Sequence, residues 1–149
     1  MTNRVLDGFK TINDTFGHDA GHDAGNDVLT EIGRRLTALP LPVVVARLSG
    51  DEFVLLVHGD TDALRAAARA ASRTISATPV PRGTNLIPIR ASVGYAHARI
   101  GITARQLLRD ADEAMYQAKT SGTGVHGHSL STADRDTQPV RRCRDRRQP

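Results

Sequence analysis

Apolar residues in this chain recur with two periods, and the switches between them divide it into elements. A short apolar fragment around Val5 and Leu6 reads as the end of a strand, followed by an Asp7-Gly8 corner. Phe9, Ile12 and Phe16 then recur at helical spacing, and Gly17 follows as a stop. Val28, Leu29, Ile32, Leu36 and Leu39 mark one face of a second helix, which the run Pro40 to Pro42 ends. Two β-branched runs, Val43 to Leu48 and Phe53 to Val57, flank Ser49-Gly50-Asp51 and predict a β-hairpin.

Beyond the hairpin, Asp62 to Ala77 predicts an alanine-rich amphipathic helix. Leu64, Ala68, Ala71 and Ile75 form its apolar stripe, and Arg65, Arg69 and Arg73 form a solvated one. "TPVPRGTN" reads as a loop and Ile87 to Ala96 as a strand. Thr103 and Gln106 form a capping box for a helix with Leu107, Leu108, Ala111, Met115 and Ala118 on its inner face. Gly122 closes that helix, and a last short strand is expected near Gly124 to His126.

Helices alternating with strands around a central hairpin predict an α/β fold of the α+β kind: a ferredoxin-like, palm-type, mostly antiparallel sheet covered by helices. No glycine-rich P-loop and no GxGxxG fingerprint is present, which leaves the doubly wound nucleotide folds unsupported. The tetrad Gly-His-Asp-Ala occurs twice in tandem, at Gly17 to Ala20 and Gly21 to Ala24. Four residues are too few for a structural repeat. The duplication either lengthens a loop or adds one turn to the next helix.

At 149 residues the chain has the size of one domain with one core. An aromatic content of 3% makes that core aliphatic. No run approaches ~18 apolar residues and no signal-peptide pattern opens the chain, so no membrane partner and a cytoplasmic location are expected. The net charge of +4 comes chiefly from "RRCRDRRQP" at the end. Residues 1–128 are therefore read as the folded domain and 129–149 as an arginine-rich tail, expected to be disordered. Its lone Cys143 has no metal-ligand company. Histidine pairs at His18 with His22 and at His126 with His128 lack a third ligand at zinc spacing and read as surface residues.

The chemistry concentrates at the hairpin tip, where Asp51 and Glu52 stand side by side. Adjacent acids in a turn can be a solvated corner. At the end of a rigid hairpin they can also hold a hard cation against a phosphate.

Four stretches decide between these readings. "LDGFKTINDTFGHDAG", "ARLSGDEF", "ASVGYA" and "DADEAMYQAKTSG" occur in the order and approximate spacing of the GGDEF family, the diguanylate cyclases, over roughly Val5 to Val125. The resemblance implies a nucleotidyl-cyclase-like fold and the conversion of two GTP into cyclic di-GMP and two pyrophosphates. It also implies Mg²⁺ (or Mn²⁺) as cofactor, and a homodimer or a partner GGDEF domain, each member holding one GTP. By the same resemblance Asp51 is a metal-binding carboxylate and Glu52 its neighbour that assists the attacking hydroxyl. Gly50 lets the nucleotide approach. Gly8, Phe9 and Lys10 form a corner whose N–H groups face phosphates, Asn13 contacts the nucleotide, and Lys119 binds phosphate.

Several positions depart from the family pattern. Its Asp-x-Asp strand end is Val5-Leu6-Asp7 here, and an isopropyl group cannot coordinate Mg²⁺. Residues i and i+2 share a face of a strand, which makes Asp7 the substitute metal ligand. The duplicated tetrad puts the guanine-reading aspartate at His22 in one register and at Asn26 in the other, while Ser49 replaces the first glycine and Thr123 an arginine. Pro40 and Val43 occupy the positions of the Arg-x-x-Asp product-inhibition motif, so feedback there is not expected. Only Met1 to Leu6 precede Asp7, too few for a full first strand. The expectation is a GGDEF-family domain with impaired synthesis. The alternatives are a non-catalytic GTP-binding or interaction module and, less favoured for want of stacking aromatics, nucleic-acid binding through the arginine tail.

Overall fold

The computed structural model describes residues 2–7 and 18–129, with side chains from Asp23 onward. Ten elements follow in order: β1 (Thr2–Asp7), α1 (His18–Thr37), β2 (Val43–Ser49), β3 (Glu52–Val57), α2 (Thr61–Ser76), β4 (Val80–Arg82), β5 (Asn85–Ile87), β6 (Arg90–Tyr95), α3 (Ala104–Ser121) and β7 (Val125–Gly127). The main sheet has five strands in the order β2-β3-β1-β6-β7. All its pairings are antiparallel except β6 with β7. This is the expected α+β sheet.

The alternation along β3 explains the layering. Phe53 and Leu55 face α1 and α2 and pack with Val28, Leu29, Ile32, Leu36, Ala71 and Ile75 in the larger core. Val54 points the other way and packs with Ala96 and Ala111 beneath α3. The alanines Ala67, Ala68 and Ala71 of α2 are fully buried between Leu64 and Ile75, so the middle of this helix adds little side-chain volume to its buried face. Gly94 lets α3 lie close to the sheet, because a Cβ there would sit 2.1 Å from the Ala111 carbonyl oxygen and 2.2 Å from the Met115 nitrogen.

Several expectations change. "TPVPRGTN" is not a loop throughout. Val80 pairs with Ile87 and Arg82 with Asn85 in a two-stranded hairpin, turned at Gly83 with φ +56°. The long strand from Ile87 to Ala96 is accordingly two strands, since Pro88 has no N–H for a ladder. Val80 and Ile87 still reach the main core.

The first strand is long enough to fill the centre of the sheet. Thr2–Asp7 pairs along all of β6, and Thr2–Val5 pairs with Leu55–Glu52 of β3. From His18 on, the duplicated tetrad is helical, so the insertion adds about one turn to α1. The expected helix over Phe9 to Phe16 lies outside the described residues, as do the arginine-rich segment and Cys143.

Helix ends follow their sequence signals. Asp60 caps α2 by accepting from the Ala63 N–H at 2.9 Å, and Thr103 caps α3 by accepting from the Gln106 N–H at 3.2 Å. The capping box is only half made, however: the Gln106 amide reaches forward to Asp110 Oδ1 at 2.8 Å. Gly122 ends α3 at φ +66°.

Candidate active site

The hairpin of β2 and β3 carries the acidic pair, and its turn is more constrained than the sequence suggests. Val43, Val45 and Arg47 pair with Val57, Leu55 and Phe53, and an unbroken ladder would next set Leu48 opposite Glu52. The register instead shifts between Arg47 and Ser49, so that Ser49 pairs with Glu52. Such a bulge re-aims side chains at the end of a hairpin. Ser49 Oγ donates to Glu52 Oε2 at 2.9 Å, and Arg47 Nε donates to the Gly50 carbonyl at 2.7 Å.

Gly50 itself has φ +41°, and nothing lies within 4 Å of where a Cβ would stand. Its glycine is required by backbone conformation, and the space above it is open. Asp51 and Glu52 are half-buried at this corner. Among the described residues no hydrogen bond or ion pair engages the Asp51 carboxylate.

The central strand β1 runs antiparallel beside β3. Val5 is the register partner of Glu52, so the position that would supply a further carboxylate is aliphatic. Asp7 lies two residues further along β1, about 7 Å at strand rise, and its register partner on β6 is Arg90. Any use of Asp7 as a ligand therefore takes place next to a cation position.

The remaining predicted residues fall as follows. Asn26 is exposed in the interior of α1. Lys119 is exposed in the last turn of α3, where its carbonyl accepts from the Gly122 N–H at 3.4 Å. That end of α3 leads into β7, whose Val125 pairs with Val93 next to Ser92, the β6 partner of Val5. Gly8, Phe9, Lys10 and Asn13 lie outside the described residues. Arg47 and the hydroxyl of Ser49 are site features that the sequence reading did not single out. An arginine two positions before a predicted turn is a signal for the first, whereas the second depends on the bulge.

Comparison with known proteins places this arrangement. The family model described as "Diguanylate cyclase, GGDEF domain" matches residues 5–124. The chain belongs to the GGDEF family. Relatives include the diguanylate cyclase DgcS of Shewanella oneidensis, 35% identical over 122 residues, which cover 81% of this chain and 39% of that protein. The cyclic di-GMP phosphodiesterase PdeR of Escherichia coli is 36% identical over 122 residues, 80% of this chain and 18% of that protein.

Among solved structures, an EAL/GGDEF domain protein from M. capsulatus matches with a TM-score of 0.74 at 34% identity. That match covers 87% of this chain and 83% of the solved one. This GGDEF chain spans less than two fifths of the length of these curated relatives. No helix among its described residues is long and apolar enough to cross a membrane.

The family implies a divalent cation, and the carboxylates at the hairpin tip limit how one can be held. Among the described residues no group of three or more His, Cys, Asp or Glu could hold a metal ion. Mg²⁺, however, is commonly held by one or two carboxylates together with substrate phosphates. Asp51 and Glu52 fit an ion that arrives with a nucleotide, and they do not fit a cage built from protein alone.

Proposed function

We propose that this GGDEF domain binds GTP at the hairpin tip and synthesises cyclic di-GMP weakly, because position 5 adds no oxygen to the site. The reading is supported by one register: Val5 opposite Glu52, with Asp51 beside it at the turn. Asp51 and Glu52 would hold Mg²⁺ brought by the nucleotide, and bound Mg²⁺ would offset phosphate charge. In each half-reaction a 3′-oxygen bonds to the α-phosphorus of the other GTP while the bond to pyrophosphate breaks. The hydroxyl proton passes to a base, the role assigned here to Glu52. One domain holds one GTP, so turnover needs a second copy or a partner GGDEF domain.

Binding without turnover is the second reading, favoured by the aliphatic residue at position 5 and by Asn26 in place of an aspartate. Asn26 still accepts and donates hydrogen bonds but loses the charge-assisted pairing to a base. Purified protein with GTP and Mg²⁺, followed by chromatography of cyclic di-GMP and pyrophosphate beside Glu52→Ala, separates the two. Product that disappears in the variant supports synthesis. Calorimetric GTP binding with no product supports the binding module, and neither binding nor product removes both.

A further inference from the structure

We infer that Ser49 is a positioning residue for Glu52, a role that a glycine at this place cannot perform. The inference rests on the reading that Glu52 serves nucleotide chemistry. The bulge at Leu48, which leaves that leucine 51% exposed, turns Ser49 into the cross-strand partner of Glu52. Partners directly opposite present their side chains to the same side, and the 2.9 Å contact from Ser49 Oγ to Glu52 Oε2 follows. An ionised carboxylate only accepts, so the serine hydroxyl is the donor.

The bond fixes one oxygen of a side chain with three rotatable bonds. Glu52 Oε1 and the second lone pair of Oε2 stay open to an incoming group. The other side of the turn is closed by Arg47 on the Gly50 carbonyl. The carboxylate is thus held in place before a ligand arrives, so the cost of ordering it falls neither on the reacting step nor on the holding of a metal ion. Asp51, its neighbour, has no such tether among the described residues.

The test compares the unaltered chain, Ser49→Ala and Ser49→Thr. Initial rates are measured with GTP and Mg²⁺, and Mn²⁺-dependent GTP binding is measured by calorimetry. In Ser49→Ala, kcat is expected to fall roughly tenfold with KM within about twofold, and threonine, which keeps the hydroxyl, returns kcat to within about twofold. If the unaltered chain binds GTP without turnover, Ser49→Ala is expected to need roughly tenfold more Mn²⁺ for half-maximal binding, with metal-free GTP affinity unchanged. An alanine variant equal to or better than the unaltered chain in the applicable readout, or a threonine that fails to rescue, overturns the role. An unaltered chain that neither binds nor turns over GTP refutes the nucleotide reading itself and this role with it, before any substitution is compared.

Discussion

Val5 stands between Glu52 of β3 and Ser92 of β6, in register with both. An aspartate there would add an oxygen donor where the described site has Asp51 and Glu52. Val5→Asp is expected to raise cyclic di-GMP synthesis by about tenfold or more, equivalent to about 1.4 kcal/mol in the barrier. Without metal, a further carboxylate beside two others is repulsive. The variant should therefore melt lower than the unaltered chain in a chelator and recover with Mg²⁺. A melting temperature indifferent to Mg²⁺, with synthesis unchanged, would shift the defect to Asn26.

Gly94 sets the distance between α3 and β6. A Cβ at that position meets backbone atoms of Ala111 and Met115 at 2.1 to 2.7 Å, and backbone cannot swing aside. Gly94→Ala is expected to cost about 3 kcal/mol, the upper part of the overpacking range, in urea unfolding. Lys119, assigned to phosphate by family resemblance alone, rides on the same helix, and a matching loss of GTP affinity would support that role. Gly127→Ala is the comparison: the nearest atoms to its Cβ belong to the far end of the half-buried Tyr95 side chain, at 2.5 to 2.7 Å, and a side chain can shift where backbone cannot. Equal costs for the two would refute the spacer role of Gly94.

These two relationships differ in how far the chain sequence reveals them. The cores of α1 and α2 follow from apolar periodicity: Val28, Leu29, Ile32 and Leu36 of the α1 stripe are buried, as is Leu39 just past its end. The hairpin follows from two β-branched runs around Ser-Gly-Asp. Its bulge does not, because Leu48 is as apolar as its neighbours and alternation alone gives no sign of an extra residue. Val44 and Leu56 are 64% and 52% exposed on the uncovered side, so apolarity there does not report burial. The β4–β5 hairpin was hidden by Pro81 and Pro88, which argue against strands except at edges. The site's acidic pair was legible, but its tether to Ser49 needed the register.

Asp110 shows the same limit from the opposite side. It lies within the apolar stripe of α3 with its side chain 4% exposed, and Arg99, from the segment before the helix, reaches it at 3.1 Å while Gln106 supplies a second bond. Periodicity cannot anticipate a partner eleven positions away in a loop. Asp110→Ala removes the buried carboxylate that accepts from both Arg99 and Gln106. The expected loss is about 3 kcal/mol, the low end for breaking a buried pair, since Arg99 keeps some access to water. Urea unfolding with an unchanged slope checks it, and a loss under about 1 kcal/mol would mean the pair behaves as a surface bridge.

Glu31 gives the fold a pH dependence whose direction can be worked out. Arg34 donates to both of its oxygens, at 2.7 and 2.8 Å, and Arg35 Nε donates to Oε1 at 2.8 Å. These bonds, that of Arg34 first, hold its carboxyl at about 2 against an ordinary value of 4.5. Arg35 also donates to the carbonyls of Ile75, Thr78 and Pro79, so the cluster ties α1 to the end of α2. A carboxyl whose folded value is depressed stabilises the fold above its unfolded value, and that contribution is lost as pH falls toward the folded one. With Arg34 largely in solvent, the contribution is about 1 kcal/mol or less. Glu31→Gln should therefore be less stable than the unaltered chain at pH 7, and the gap should close between pH 4.5 and about 2. Paired urea titrations across that window measure it, and a gap that stays constant with pH would show that packing rather than charge holds α1 to α2.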